Sequence, residues 1–192
     1  MCRSTESSTK GAVPIRFGTY NIRNGRNGVL ESELRGMSQA NMDLGIFQET
    51  KVTDCIYTRG SAGYSVVVTD APSQHRGGVA VSHQTAPHFA VESVHKFGPN
   101  VVGFQLAMGE RRGYIVGCYL APDNALTIES VVAALKERPR GAELLLVGGF
   151  NSNLAEPEGD RRGEDIAAAM ATEGLGDMSA HFLLRRRSWC RD

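Results

Sequence analysis

Short apolar runs alternate with turn signals along most of the chain, and this pattern predicts more strands than helices. Ile15 to Tyr20 forms the first such run, and the Asn-Gly pairs that follow it in NIRNGRNG suit turns. A helix is predicted from Val29 to Asn41, because Leu30, Leu34 and Met37 fall on one face at helical spacing. The chain is therefore expected to begin with a strand followed by an amphipathic helix.

The middle of the chain predicts a succession of strands. LGIFQET, residues 44–50, is expected to be a buried strand whose end turns polar. Five further strands are predicted in the runs YSVVVTD (64–70), GGVAVSH (77–83), FAVESVH (89–95), VVGFQLAM (101–108) and YIVGCYL (114–120). Gly, Pro and Asn residues between these runs indicate hairpin-like turns, so we expect this block to pair antiparallel.

The last third of the chain predicts two helices with one strand between them. The first helix is expected near Thr127 to Glu137, with Thr127 as a candidate cap and four inward residues, Ile128, Val131, Val132 and Leu135. The apolar run ELLLVGGFN (143–151) follows as a strand. The second helix is expected from about Arg161 to Glu173, with Asp160 as its cap and Gly174 at its end.

Composition and domain organisation favour a single soluble α/β domain. Repeats, low-complexity segments and linkers are absent, so we expect one domain over residues 15–192, preceded by a polar, disordered leader of residues 1–14. The hydrophobic content of 41% and charged content of 22% are ordinary for a globular protein. The leader has no apolar core for a signal peptide, and no segment is apolar enough to cross a bilayer. We expect an intracellular monomer of the nucleus or cytoplasm with no membrane partner.

The charge balance and the spacing of the cysteines argue against two further classes of protein, wholly basic nucleic-acid modules and proteins held together by zinc or disulfides. Lys and Arg total 21, as do Asp and Glu, which argues against a wholly basic nucleic-acid module but leaves a local patch possible. The four cysteines (Cys2, Cys55, Cys118 and Cys190) are far apart and form no C-x-x-C pair, which disfavours a zinc site and a disulfide scaffold. We expect four reduced thiols.

Polar residues stand where several of the predicted strands end. They are Asn21 after the first strand, Glu49 after the next, Tyr119 in CYLAPDN, and Asn151 after LLLVGG. Ligand sites in layered α/β folds lie outside strand ends. A carboxylate, amide oxygens and a phenol without nearby Cys or His fit a hard cation such as Mg²⁺, with Mn²⁺ as an alternative, which can polarise a phosphodiester while water attacks. Taken singly, the two asparagines suit turns, Glu49 suits a solvated loop and Tyr119 suits a strand; only the combination indicates a site.

This combination resembles the endonuclease/exonuclease/phosphatase superfamily, most closely the endonuclease domains of non-LTR retrotransposon polyproteins. That family has an Asn at the end of its first strand, a Q-E pair, a Y-x-P motif, a strand with paired glycines and an apolar strand ending in G-D-x-N. The corresponding segments here are Thr19-Tyr20-Asn21, Gln48-Glu49-Thr50, Tyr119 to Pro122 with one extra residue, HRGGVAVS (75–82) and Gly148-Gly149-Phe150-Asn151. The resemblance runs from about Ile15 to at least Asp177.

The resemblance implies a four-layered α/β sandwich, with two mixed β-sheets flanked by helices, and Mg²⁺-dependent cleavage of DNA or another phosphodiester. Glu49 would hold the metal with Asn21 supporting it. Tyr119 would contact the scissile phosphate, and Asn151 would orient the nucleophilic water or the phosphate. Arg76 and Asn124 are further candidates for substrate contacts. The run Arg185 to Arg187 could touch a DNA backbone, although a solvated surface run is the simpler interpretation.

Two departures from the family pattern make the implied catalytic set incomplete. Gly149 stands where the family has the Asp that positions and deprotonates the attacking water, which costs on the order of 10²–10⁴ in rate. The chain stops at Asp192 without the family's Ser-Asp-His motif, and the only late histidine, His181, lacks a preceding Asp. We therefore expect a fragment or degenerate copy of a retroelement endonuclease, weakly active or inactive, with the last strand or strands of a sheet missing.

Two other functions stay open. A non-catalytic nucleic-acid-binding remnant would keep the fold without the chemistry, and Gly149 favours it over a fully active enzyme. A phosphatase acting on inositol phosphates or lipid phosphoesters is the third hypothesis. The absence of a membrane-facing apolar segment disfavours the lipid substrate.

Overall fold

The computed structural model describes residues 15–53, 57–59, 61–84, 89–121, 126–152 and 159–175. This part of the chain contains nine strands in two sheets, three α-helices and one short 3₁₀ helix, Ser61–Gly63. The first sheet has the order β1-β2-β5-β4-β3, formed by β1 (Phe17–Asn21), β2 (Leu44–Gln48), β3 (Tyr57–Arg59), β4 (Tyr64–Val68) and β5 (Val79–Gln84). The second has the order β6-β7-β8-β9, formed by β6 (Ala90–Gly98), β7 (Val101–Met108), β8 (Arg111–Tyr119) and β9 (Glu143–Gly149). The helices are α1 (Val29–Gln39), α2 (Leu126–Lys136) and α3 (Arg161–Thr172).

Each sheet contains one parallel pair of strands, and a helix makes the connection within that pair. In the first sheet, β1 runs parallel to β2 and α1 connects them; in the second, β8 runs parallel to β9 and α2 connects them. The other pairings are antiparallel. Parallel strands end at the same edge of their sheet, so Asn21 pairs with Gln48 and Tyr119 pairs with Gly149. Both sheets are mixed, as predicted.

Three apolar clusters divide the molecule into four layers. One cluster fills the space between the sheets and includes Ile46, Val81, Phe104 and Ile115. A second packs α1 on the outer face of the first sheet, and a third packs α2 and α3 on the outer face of the second sheet. The order of layers is therefore helix, sheet, sheet, helices, which confirms the predicted four-layered α/β sandwich.

The helices confirm most of the local predictions and correct three. Leu34 and Met37 are buried on the inner face of α1, but the helix ends at Gln39, two residues before the predicted Asn41, which has a positive φ of 52°. Thr127 is not a cap, because α2 begins at Leu126 and Thr127 lies buried inside the helix. Val132 is only half-buried and lies outside the cluster, where Ala134 takes its place.

The last helix begins and ends as its sequence predicts. The backbone N–H of Arg162 donates to Asp160, the residue that caps α3, at 3.2 Å. Gly174 follows the helix with a φ of 68°, a left-handed conformation that glycine adopts without steric cost.

The predicted antiparallel block is real but is divided between the two sheets. β4 and β5 pair with each other in the first sheet, whereas β6, β7 and β8 form a continuous antiparallel set in the second. The strand β3, of three residues, was not predicted. The predicted leader and the segment 176–192 lie outside the described residues. Within the described part of the chain, no helix combines the length and apolarity needed to cross a membrane, and Cys118 is a buried free thiol.

Candidate functional site

The candidate site lies where the carboxyl ends of the two parallel pairs approach each other across the sheets. All five residues of β2 are buried, and Glu49 emerges directly after the last of them. Asn21 ends β1 and pairs in register with Gln48, so it lies beside Glu49. Tyr119 ends β8 in the other sheet and is 7% exposed. The topology thus brings a carboxylate, an amide and a phenol from three strand ends to one place.

Glu49 is the centre of this cluster. Its Oε1 accepts one hydrogen bond from Asn21 Nδ2 and another from the Tyr119 hydroxyl, both at 2.8 Å. Its Oε2 lies 3.7 Å from Lys51 Nζ. The Asn21 amide is oriented by the backbone N–H of Arg23, which donates to Asn21 Oδ1 at 3.1 Å. One carboxylate oxygen is therefore fixed by two neutral donors, while the other faces a cation across a longer gap.

The hydrogen bonds keep Glu49 ionised. Burial alone would raise the pKa of this carboxyl, but the hydrogen bonds from Asn21 and Tyr119 and the charge of Lys51 outweigh burial and lower the pKa below its ordinary value. The group is consequently a carboxylate throughout the neutral range, which is the form that binds a cation.

Four non-glycine residues of this region have left-handed backbone conformations, with φ between 48° and 56°: Arg23, Glu49, Lys51 and Asn151. Each such conformation costs roughly 1–3 kcal/mol and persists only where the surroundings enforce it. Around Glu49 the enforcing contacts are backbone hydrogen bonds from Thr50 N to Gly78 O at 3.3 Å and from Lys51 N to Gly77 O at 3.0 Å. Two of the four, Glu49 and Asn151, are predicted site residues that follow the ends of β2 and β9.

The two glycines at the end of β9 differ in what the structure requires of them. A Cβ on Gly148 would lie 1.9 Å from the carbonyl oxygen of Cys118, so only glycine fits there. A Cβ on Gly149 would meet the Tyr119 ring at 3.3 Å and Gln48 Cγ at 3.9 Å, contacts that need a shift of only a few tenths of an ångström. A side chain at position 149 would therefore start between Tyr119 and Gln48, the residue before Glu49, and the backbone does not demand a glycine.

Asn151 lies on the same edge, two residues after the end of β9 and beside the segment that follows Tyr119. Its Nδ2 donates to the carbonyl of Leu120 at 2.9 Å, and Leu120 N donates to the carbonyl of Gly149 at 2.8 Å. The next residue, Ser152, donates its hydroxyl hydrogen to Asp160 at the start of α3. The exposed Asn151 side chain is thus held by a hydrogen bond to the residue that follows β8. Its chemical role stays a prediction.

The structure describes only one of the two residues predicted to contact substrate, Arg76. Arg76 is exposed at the end of a tight loop, closed by a bridge between Ser73 and Arg76, just before the glycines that support Lys51. Asn124 lies outside the described residues. Its role and that of Arg76 stay predictions.

Sequence reasoning missed Lys51 and Arg26. Lys51 follows Glu49 by two residues, so its charge could have been noted beside the acid. Arg26 donates to the side-chain and backbone oxygens of Gln74 at 3.0 and 3.1 Å, joining two loops at the rim, and nothing in the sequence signals that contact.

The donor set decides which metals the site fits. Among the described residues, no three His, Cys, Asp or Glu side chains gather closely enough to form a metal cage. A single carboxylate supported by amides fits Mg²⁺, which keeps several waters and is often held by one or two carboxylates. The residues present therefore suit a weak Mg²⁺ site at Glu49.

Comparison of the sequence with protein-family models and with curated proteins gives no match. Solved structures do match: the endonuclease domain of TRAS1, a telomere-specific non-LTR retrotransposon, has a TM-score of 0.61 at 18% identity, over 84% of this chain and 71% of that one. An AP endonuclease from Archaeoglobus fulgidus has a TM-score of 0.55 at 16% identity, over 83% and 71%. An endonuclease/exonuclease/phosphatase family protein from Bacteroides thetaiotaomicron has a TM-score of 0.53 at 11% identity, over 80% and 68%. At these identities the likeness establishes the fold.

Proposed function

Because the chain has the fold of the endonuclease/exonuclease/phosphatase superfamily, we propose that it is a Mg²⁺-dependent, DNA endonuclease-like phosphodiesterase domain of retroelement origin. Its activity is proposed to be weak, because position 149 carries no carboxylate. The single observation that carries the proposal is the contact of Asn21 and Tyr119 with the ionised Glu49 at the converging strand ends. The fold of the TRAS1 endonuclease domain supports the substrate class.

In this proposal, Glu49 holds the metal and Asn21 positions Glu49. Oε1 is already bound by two donors, so Oε2 is the oxygen that faces an incoming cation, in competition with Lys51. Bound Mg²⁺, or Mn²⁺ in its place, would supply positive charge to the phosphate and lower the pKa of a bound water. Asn21 and Tyr119 keep the carboxylate fixed, which reduces the reorganisation needed when a metal and a phosphate arrive.

The proposed roles of Tyr119 and Asn151 follow from their place on the opposite sheet. Tyr119 would contact the phosphate from the β8 side, and Asn151 would orient the water or the phosphate from the segment beside it. Gly149 pairs with Tyr119 at the end of β9 and precedes Asn151 by two residues. It has no side-chain group that could accept the proton of the attacking water. The loss of such a base is worth on the order of 10²–10⁴ in rate, so the expected activity is low but not zero.

Nicking of supercoiled plasmid in the presence of Mg²⁺ or Mn²⁺ tests this proposal. The wild-type chain is expected to nick slowly, Glu49→Ala to abolish nicking, and Glu143→Ala to leave the rate unchanged. Glu143 is a matched control because its carboxylate lies at the opposite end of β9, exposed and paired with Arg111. Nicking that survives in Glu49→Ala would contradict the assignment. Fast wild-type nicking that Glu49→Ala abolishes would show that another residue supplies the missing base.

A non-catalytic DNA-binding domain is the second candidate, and Gly149 is the observation that favours it. In that case the wild-type chain and Glu49→Ala would both fail to nick, yet both would bind duplex DNA. Fluorescence anisotropy with a labelled duplex separates the two functions, and Arg76→Ala tests whether the loop before the glycine pair contributes to binding. A salt-independent signal would argue against phosphate contacts, because these release counterions.

A further inference from the structure

Asn100, in the turn between β6 and β7, connects the two halves of the candidate site. It is 2% exposed. Its side-chain Oδ1 accepts a hydrogen bond from the backbone N–H of Gly78 at 2.8 Å, and its own carbonyl accepts from Tyr119 N at 2.9 Å. Gly78 belongs to the first sheet's side of the molecule and Tyr119 to the second, so one residue holds both.

These contacts close a ring of hydrogen bonds that begins and ends at the loop of Glu49. Thr50 N and Lys51 N donate to the carbonyls of Gly78 and Gly77, and Gly78 N donates to Asn100 Oδ1. Asn100 O then accepts from Tyr119 N, and the Tyr119 hydroxyl returns to Glu49 Oε1. The ring passes from the first sheet to the second at Asn100. The side chain of Asn100 binds Gly78, and its backbone carbonyl binds Tyr119.

The paired glycines are required by this close approach. A Cβ on Gly77 would lie 2.7 Å from Asn100 Oδ1, and a Cβ on Gly78 would lie 2.3 Å from Thr50 Oγ1. Both residues have left-handed φ values, 75° and 88°. Glycine therefore lets the loop that supports Glu49 and the side chain of Asn100 touch the same short backbone segment.

The hydrogen bond to Gly78 fixes the orientation of the Asn100 side-chain amide. The N–H of Gly78 can only donate, so the amide must present Oδ1 to it, which leaves Nδ2 buried without a partner among the described residues. A buried donor without a partner is destabilising, but an apolar side chain in its place would leave the backbone N–H of Gly78 without its acceptor. What the asparagine supplies at this position is the acceptor for Gly78.

We infer that Asn100 is a positioning residue that sets the separation of Glu49 and Tyr119 across the two sheets. It touches neither metal nor substrate and acts through Gly78 and the Tyr119 backbone. The inference concerns the site named in the proposed function, but it rests on contacts that exist without metal, DNA or turnover. The inference can therefore fail its test while the proposed function stands, and the proposed function can fail while the inference stands.

The test follows the Tyr119 hydroxyl by NMR of the full chain labelled with ¹³Cζ-tyrosine, which has five tyrosines. Tyr119→Phe assigns the resonance, and Glu49→Ala gives its position when the hydrogen bond is broken. Asn100→Ala should move the resonance more than half of the way to that position. Asn100→Asp keeps an acceptor at Oδ1 and should return the resonance close to its wild-type position.

Val66→Ala is the control for lowered stability, because Val66 packs beneath α1 on the far face of the first sheet. It should leave the Tyr119 resonance unchanged. A wild-type resonance in Asn100→Ala would overturn the inference, as would an equal displacement in Val66→Ala or in Asn100→Asp. If Asn100→Ala does not fold, the test is made on the wild-type chain. A scalar coupling across the hydrogen bond, between Gly78 ¹⁵N and Asn100 ¹³Cγ, is then expected. Its absence would overturn the inference.

Discussion

The ends of the two parallel strand pairs are alike in topology and different in chemistry. In both pairs a helix connects two parallel strands, and a non-glycine residue with left-handed backbone follows the second strand: Glu49 after β2 and Asn151 after β9. The β2 end presents a carboxylate held by Asn21 and Tyr119. The β9 end presents Gly149, where a side chain would begin beside the Tyr119 ring.

This difference separates what the fold provides from what a single residue provides. The fold brings both strand ends to the same place. Only the β2 end carries an ionised group that the surrounding hydrogen bonds have fixed in advance. Position 149 therefore has room for a side chain, and the residue present there supplies no carboxylate.

The largest expected effect contrasts the two glycines at the β9 end. Gly148→Ala places a methyl group 1.9 Å from the Cys118 carbonyl oxygen, which lies in the backbone of a buried strand, and should lower the free energy of unfolding by about 3 kcal/mol or more. Gly149→Ala needs only a small shift of the Tyr119 ring and should cost less than about 1 kcal/mol. Urea unfolding measures both. Equal losses would mean that position 149 also requires glycine and that its missing carboxylate has a structural cause.

An effect of intermediate size concerns the hydrogen bonds at the β2 end. Tyr119→Phe removes a donor to an ionised carboxylate and should lower stability by about 1.5–3 kcal/mol at neutral pH. The folded pKa of Glu49 is lowered, so this contribution is complete above the carboxyl's unfolded pKa and is lost as the pH falls through the folded pKa.

The measurement is urea unfolding of wild type and Tyr119→Phe from neutral to strongly acidic pH. Tyr64→Phe is the matched control, because the Tyr64 hydroxyl donates to a backbone carbonyl, that of Met42, which does not titrate. The difference for Tyr119→Phe should shrink in acid while the difference for Tyr64→Phe stays constant. A constant difference for both variants would show that the Tyr119 hydroxyl does not bind the ionised form of Glu49.

The smallest expected effect concerns Lys51. Its Nζ is 3.7 Å from Glu49 Oε2, and both side chains are 21% exposed, so removing the ion pair should change the free energy of unfolding by less than about 1 kcal/mol. Lys51→Met should strengthen Mn²⁺ binding by a factor of about 2–5, because the competing cation is gone. Titration of Mn²⁺ by electron paramagnetic resonance measures the affinity, with Lys136→Met on α2 as a control. Weaker binding in Lys51→Met would show that the lysine orients Glu49 rather than competing for it.

The elements that the sequence predicts well are those in which local pattern and tertiary packing agree. Leu34 and Met37 recur at helical spacing and are buried. The segment LGIFQ is apolar up to its last residue, Gln48, and forms a strand that is buried on both faces. The division of the strands between two sheets was not predictable in this way, because the periodicity of a strand does not identify the strands with which it pairs. Thr127 was assigned as a cap because its residue type suits that position, but the helix begins one residue earlier.

The candidate site was predictable as a set of strand ends and not as a set of contacts. The motifs around Asn21, Glu49 and Tyr119 indicate which residues stand at the ends, and the resemblance to a family indicates what they would do together. The contact of Glu49 with Lys51 and the support from Asn100 depend on how two sheets pack, which no local pattern records. The paired glycines at 77 and 78 were noticed as a motif, and their cause, the close approach of Thr50 and Asn100, is visible only in the structure.

The most direct test of the account is the rate at which Gly149→Asp nicks supercoiled plasmid with Mg²⁺, compared with the wild-type chain at equal protein concentration. Restoring a carboxylate between Tyr119 and Gln48 is expected to raise the rate by about 10- to 100-fold, a part of the range that one general base supplies. The increase should vanish when Glu49→Ala is added, and Gly149→Asn, which has the shape of Asp without its charge, should stay at the wild-type rate. No increase in a Gly149→Asp chain that folds as wild type would contradict the claim that the β9 end lacks only its acid.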